Sequence, residues 1–346
     1  ELIYGLGKYY HFIGSYQKAI GYYNRMFRFI EDNEDGKLIK KEIEQNIADC
    51  EFAMQHPEDN NSNRQRLKVE NLGPEINSPY AEYTPVVDKN ETVLLFTSRR
   101  KNNVGHRTDD DDLYYEDMYI ARKNSMGKFS GAHQLSATDN DLKLLKNTRF
   151  NESFISISHD GSKLYTYRDN SIYESGLNNG VWSEPVKMDE NINPYTYQNH
   201  ASISSDGKTI YFTSNKKSGY GELDIYKSVK STDGKWSAPE NMGPDINTSG
   251  SEESPAISED GKTLYFASKV LPGYGGYDLF KTTFNGTTWS KPENMGRPIN
   301  SEGDDLFLNI DDNGTHGFLA SSRKGGLGDL DLYRIFLLDR FTDAET

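Results

Sequence analysis

The sequence predicts a mainly β fold, a five-bladed β-propeller, on three observations. One unit is laid down twice with almost no change in length, since Asp206 and Asp260 lie 54 positions apart and Trp236 and Trp289 lie 53 apart. A fixed period of that size marks a repeat architecture. Within the unit, a Ser-x-Asp-Gly turn precedes an alternating strand, Thr263-Leu264-Tyr265-Phe266-Ala267. A Gly-rich loop from Gly273 to Gly276, a third strand at Tyr277 to Lys281 and a fourth from Trp289 to Met295 follow. Four short antiparallel strands per repeat describe one propeller blade. The third observation is a mismatch at the ends. The first three strands begin near Glu82, Glu152, Gln198, Glu252 and Asp305, whereas the fourth strand occurs near Val69, Phe129, Trp182, Trp236 and Trp289. The strand near Val69 has no unit before it and the unit at Asp305 has no fourth strand after it. Pairing the two closes the ring by an N-terminal strand clasp and leaves no sheet edge open. Six blades is the alternative, if the interval from Asp88 to Asp160 hides a degenerate one.

Residues 1–56 read as a small helical domain. Ile3, Leu6, Gly7, Tyr10, Gly14, Tyr16, Ala19, Tyr23 and Met26 follow helical spacing, with small residues where two helices touch. This pattern resembles a tetratricopeptide repeat, with Ile3 where Trp is usual and Met26 where a small residue is usual. A further helix from about Lys37 to Gln55 stacks on the pair. Because such repeats need about three units for independent stability, the helices are expected to lean on the propeller or to continue earlier repeats. Residues 57–66 are read as a linker, 67–338 as the propeller, and 339–346 as a tail leading to a domain outside these residues.

Composition narrows the function. A formal charge of −14 and a sequence pI near 5.0 exclude a basic face for nucleic-acid binding. No apolar run approaches the length that spans a bilayer, and the chain from Glu1 shows no signal-peptide pattern, as expected of a mature or trimmed piece. The single cysteine, Cys50, reads as a buried structural thiol. No cofactor motif is present, and the seven histidines show no metal-ligand spacing. Glu31 to Glu42 approximates a calcium loop, but Glu31 stands where Asp is needed; an acidic inter-helix turn is the competing reading.

Four residue columns recur once per blade. Trp182, Trp236 and Trp289, with Phe129, suit packing between blades. Asp117, Asp224, Asp278 and Asp331 open the third strand and suit turns that accept backbone N–H groups. The Asp-Gly turns at Asp160, Asp206 and Asp260 join the first two strands. Glu82, Glu152, Gln198, Glu252 and Asp305 precede the innermost strands and are expected to converge on one mouth of the channel, as a site for a cation or for the Lys or Arg of a partner. Arg99, Arg100, Arg168, Lys216, Lys269 and Arg323 end the second strand on the same face, so ion pairing is the alternative. The insertion from Arg100 to Glu116 is the main irregularity. Its Asp109, Asp110, Asp111, Asp112, Tyr114 and Tyr115 are the candidate partner-contact loop.

The units S-x-D-G-K-T-[LI]-Y-F followed by G-x-x-D-[LI]-[YF] resemble TolB-type propeller repeats. With Ile76-Asn77-Ser78-Pro79-Tyr80-Ala81-Glu82 and the tetratricopeptide-like start, nearly the whole chain resembles the helical-repeat and propeller portion of OmpA-family envelope proteins, a group with members in the type IX secretion system. The resemblance implies a scaffold in the periplasm, associated with the outer membrane, whose partners are outer-membrane or periplasmic secretion components. It implies peptidoglycan attachment only through an OmpA-like domain, which these residues do not contain, and no catalysis. The alternative function is a ligand-binding propeller taking glycan, peptide or calcium at the acidic channel mouth.

Overall fold

The computed structural model describes residues 1–57, 67–108, 113–193, 197–311 and 314–338. It contains three α-helices, α1 (Leu2–Phe12), α2 (Tyr16–Met26) and α3 (Glu34–Gln55), followed by five antiparallel sheets. Helices α1 and α2 pack as a hairpin, and the hairpin fits only because Gly7 has no side chain: a Cβ there would lie 2.6 Å from the Tyr23 ring. Tyr23, Ala19, Ile43 and Cys50 form the buried centre of this bundle. Burial pushes the Cys50 thiol up to about 12, so it stays protonated and inert. Asn33 ends the calcium reading, because its Oδ1 accepts the Gly36 N–H at 2.7 Å and caps α3. Glu34 onward is helical, so residues 34–42 do not form a metal-binding loop.

Each sheet is one blade, and the five innermost strands, Glu82–Val87, Glu152–Ile157, Ala201–Ile203, Glu252–Ile257 and Asp305–Ile310, contact one another in a closed ring. In the last blade Leu67–Asn71 pairs antiparallel with Asp331–Leu337, setting Val69 opposite Ile335 and Asn71 opposite Tyr333. The clasp expected from the mismatched ends is therefore present, and the interval from Asp88 to Asp160 holds no sixth blade among the described residues. The core is divided into five seams, one between each pair of neighbouring blades. Trp182 packs with Leu95 and Ile120 of the preceding blade, Trp236 with Tyr165, and Phe129 edge-on against Phe318 at 6.0 Å. Burying one large aromatic per seam holds blade against blade.

Fourth strands are short, only Glu240–Asn241 and Glu293–Asn294 in two blades, which leaves part of the third strand's outer edge without a backbone partner. An asparagine from the start of the next blade fills the gap. Asn247 Oδ1 accepts the Ile225 N–H at 2.8 Å while its Nδ2 donates to the Ile225 carbonyl at 2.9 Å. Asn147 does the same for Met118, Asn193 for Ile172 and Asn300 for Leu279, each with both bonds between 2.7 and 3.0 Å. Asn77 repeats it across the ring closure, accepting from the Leu332 N–H at 2.8 Å and donating to its carbonyl at 3.0 Å. A side-chain amide carries the same donor and acceptor as a peptide unit, so it substitutes for one residue of strand.

Replacing Asn77 with Ala leaves the buried Leu332 N–H without a partner, while the Leu332 carbonyl keeps the Leu72 N–H at 3.0 Å, and the urea unfolding free energy is expected to fall by about 2 kcal/mol. Asn90→Ala, at an exposed turn, is expected to shift it by less than about 0.5 kcal/mol.

Candidate functional site

The column Glu82, Glu152, Gln198, Glu252 and Asp305 does not line the channel. Each of the five is at most 1% exposed. Strand alternation explains the correction, because these side chains point into the blade and in four blades the next residue, Tyr83, Ser153, Asn199 or Glu253, turns toward the channel; in the fifth it is Phe307. Their oxygens serve the preceding loop: Glu82 accepts from the Ser78 N–H at 2.7 Å and Ser78 hydroxyl at 2.6 Å, Glu252 from the Thr248 N–H and hydroxyl, both at 2.7 Å. Asp305 accepts the same pair from Ser301, and Glu152 from Thr148. Ion pairs complete three of them, Arg100 with Glu82 and Arg168 with Glu152 at 3.1 Å, and Arg323 with Asp305 at 2.6 Å. Lys216 and Lys269 instead lie over the Tyr226 and Tyr277 rings, and Gln198 donates to Ser214 at 3.2 Å. Burial pushes the Glu82, Glu152 and Glu252 carboxyls up despite these bonds.

The third-strand column is also structural. Asp224 accepts the Tyr220 and Gly221 N–H groups at 2.6 and 3.0 Å, and Asp331 accepts those of Leu327 and Gly328 at 2.5 and 3.1 Å. Asp278 accepts from Tyr274 and Gly275, and Asp117 from Val104 and Gln134. Burial raises Asp278 well above the carboxylate range and Asp117 to about 7. The Asp-Gly turns behave in the opposite way: exposed Asp160 accepts from the Ser158 hydroxyl and the Ser162 N–H, which lower it to about 2.

The channel mouth is built from other residues. A cavity of about 480 Å³ opens there, lined by Tyr83, Tyr167, Tyr197, Asn199, His200 and Phe307, with the carboxylates Glu116, Glu253, Asp304 and Asp329 and one guanidinium, Arg99. Tyr83 stacks on Phe307 at 5.3 Å, and Tyr167 meets Tyr197 edge-on at 6.1 Å. Glu253 accepts from the Tyr277 hydroxyl at 3.1 Å, and Asp304 accepts the Tyr277 N–H at 2.9 Å. Burial raises both carboxyls. β-Bulges break four inner strands, and in three of them Thr84, Ser254 and Phe307 adopt the left-handed conformation with φ of 49°, 48° and 55°. Non-glycine residues are strained there, and the bulge turns Phe307 toward the channel.

The insertion in the first blade flanks this mouth. Its arms meet in a bridge between Thr108 and Tyr114; Tyr114 packs edge-on against Tyr80 at 5.7 Å, and Arg107 lies over Tyr115 at 5.1 Å. Asp109, Asp110, Asp111 and Asp112 lie outside the described residues. Leu113 and Glu116 are the part of the insertion that reaches the cavity.

A second cavity, about 760 Å³, lies between the helices and the propeller. His11 Nε2 is 2.7 Å from the Tyr274 carbonyl, which can only accept, so that nitrogen carries the proton. Tyr16 donates to Glu302 at 2.5 Å, Arg297 donates to Glu302 at 2.7 Å, and Phe52 stands edge-on to Tyr274 at 5.3 Å. Burial alone would raise the Glu302 carboxyl, but Arg297 and Tyr16 hold it below its ordinary value. The helices thus lean on the propeller, and Lys8, Tyr9, Phe12, Leu38, Lys41 and Lys269 line the opening that remains.

No family model and no curated protein matches the chain. Solved structures do. It is similar to a protein described as TolB from Agrobacterium tumefaciens, at 15% identity and a TM-score of 0.43, covering 77% of this chain and 87% of that one. It is also similar to the periplasmic gluconolactonase of Pseudomonas aeruginosa, at 13% identity and a TM-score of 0.39, covering 69% and 64%. An α-L-arabinofuranosidase from Podospora anserina matches at 10% identity and a TM-score of 0.42, covering 77% and 92%. The likeness is one of propeller architecture. Two of these neighbours are enzymes by name, which corrects the expectation that a chain of this fold is not an enzyme. None of the described helices is long and apolar enough to cross a membrane.

The raised carboxyls set a pH dependence. Between pH 3.8 and about 7 the folded chain holds a proton on Asp117 that the unfolded chain has lost, so this residue's contribution to stability falls as pH rises through that window. His11 and His200, lowered by burial, act in the opposite sense. The difference between wild type and Asp117→Asn isolates the first effect: between about pH 5 and pH 7.5 the variant's urea midpoint should rise more, or fall less, than that of the wild type. Parallel profiles would contradict the assignment.

Proposed function

We propose that the chain is a protein-interaction module of a bacterial envelope assembly, acting in the periplasm as a scaffold of type IX secretion or of related machinery linked to the outer membrane and peptidoglycan. The observation that carries this reading is the cleft between the helices and the propeller. The recurring columns are used up inside the blades, whereas the cleft is built once, from residues that do not repeat, and it leaves apolar side chains open: Leu38 is 68% exposed, Tyr9 56% and Phe12 37%. An apolar strip rimmed by lysines and carboxylates is the composition of a protein contact. The helical-repeat likeness supports it, since such helices present a surface to polypeptides, and so does the TolB-like propeller. The occupant proposed is a segment of an outer-membrane or periplasmic secretion component.

Amine-reactive crosslinking in intact cells with mass-spectrometric readout tests this, because Lys8, Lys41 and Lys269 all line the cleft. Crosslinks to one envelope protein are expected to concentrate on these lysines. Leu38→Glu, at a solvent-facing site, is expected to leave stability within about 0.5 kcal/mol and to reduce those crosslinks severalfold. Crosslinks spread evenly over the blades, or unchanged by Leu38→Glu, would contradict the proposal.

A further inference from the structure

The channel mouth holds a combination that neither the blade repeats nor the cleft explains. Glu253, Asp304 and Asp329 line it, and among the described residues none of the three makes an ion pair. With Glu116 they set four carboxylates around one lining guanidinium, Arg99, whose Nε donates to the Tyr114 carbonyl at 2.8 Å, while Lys269, at the edge of the helix cleft, attracts Glu253 and Asp304 from outside the cavity. The walls are aromatic faces and edges, from the Tyr83 and Phe307 stack and the Tyr167 and Tyr197 pair.

His200 supplies an independent sign that something is bound. Its ring sits 4.7 Å from Phe307 at the waist of the channel, where it lines both this cavity and the one that opens on the opposite face. It is only 8% exposed, and its Nδ1 has no hydrogen-bond partner. A buried polar atom left without a partner is uncommon in native folds and points to a group that completes it. Burial lowers this imidazole to about 3, so at neutral pH the ring is uncharged and has a nitrogen lone pair to offer a donor.

We propose that the mouth of the channel on the helix-bearing face binds an alkylammonium group, presented either by a lysine side chain of a polypeptide or by a free diamine. An ammonium group carries three donors and no acceptor, which matches carboxylates and a neutral imidazole. Its aliphatic stem suits the aromatic walls, over which a cation is further attracted by the ring quadrupoles. A metal ion fits less well, because no three metal-ligating side chains converge among the described residues. Carboxylates spaced around a wide aromatic pocket serve a diffuse organic cation better than a small hard one, and they repel anions. The site adjoins the helix cleft, with which it shares Asp304, but Glu253, Asp329 and His200 line the mouth and not the cleft.

Calorimetric and NMR titration of the whole chain tests this with three probes: 1,5-diaminopentane, Nα-acetyl-lysine methylamide, and the uncharged isostere Nα-acetyl-norleucine methylamide. Saturable binding of at least one amine is expected below about 20 mM, with a shift of the His200 ring resonances, and no binding of the isostere. The tighter of the two amines identifies the source. Glu253→Gln is expected to weaken binding about tenfold, and Asp329→Asn, at an exposed position that tolerates change, to weaken it by a smaller factor. His200→Phe keeps the ring volume and removes the acceptor, and should weaken the amine without altering the elution volume of the folded chain. Absence of saturation by either amine, equal binding of the isostere, or Glu253→Gln and Asp329→Asn variants that bind as the wild type does would overturn the proposal.

Discussion

The structure depends on one hydrogen-bonding constraint: every third strand has an outer edge that its fourth strand, two to six residues long, covers only in part. Five asparagines, Asn77, Asn147, Asn193, Asn247 and Asn300, cover the rest by presenting an amide to the N–H and carbonyl of one residue in the preceding blade. Each asparagine belongs to the blade that follows, so satisfying a strand edge also fixes the angle between neighbours. The aromatic seams then pack against a frame that is already set. Around a ring this constraint has no free end, because Asn77 and Leu332 join the first and last blades across 255 positions of sequence.

Much of this architecture was legible before any coordinates. The out-of-step lists of strands required a clasp between residues near Val69 and the last repeat, and the observed register supplies it. The aromatic column packs between blades, with Trp182, Trp236 and Phe129 buried in their seams. The same reasoning failed by one residue at the channel mouth. Four carboxylates and one amide, one per blade, suggest a ring around a channel, yet alternation along the strand sends Glu82 and Glu252 into the blade and Tyr83 and Glu253 toward the opening, while in the last blade the bulge brings Phe307 there in place of Leu306. The asparagine column stands in the sequence five positions before each member of that buried column, at Asn77, Asn147, Asn193, Asn247 and Asn300. Its signal was a polar residue invariant in position at the close of an apolar turn, which is a candidate for backbone pairing.

The mouth itself was not legible because its residues do not recur. Glu253 from the fourth blade, Asp304 and Phe307 from the fifth, His200 from the third and Glu116 from the insertion share no motif, and only ring closure brings them to one cavity. The cleft between helices and propeller has the same origin, since His11 meets Tyr274 and Tyr16 meets Glu302 across more than 260 positions. A repeat builds the frame, and departures from the repeat build the surfaces.

Native-state hydrogen exchange at the five amides bonded to the asparagines, Met118, Ile172, Ile225, Leu279 and Leu332, tests the central claim most directly. If the amides close one uninterrupted ring, all five exchange slowly and with the same opening free energy as global unfolding. If Leu332 exchanges much faster than the other four, the first and last blades are not held together by Asn77, and the account of the ring is wrong.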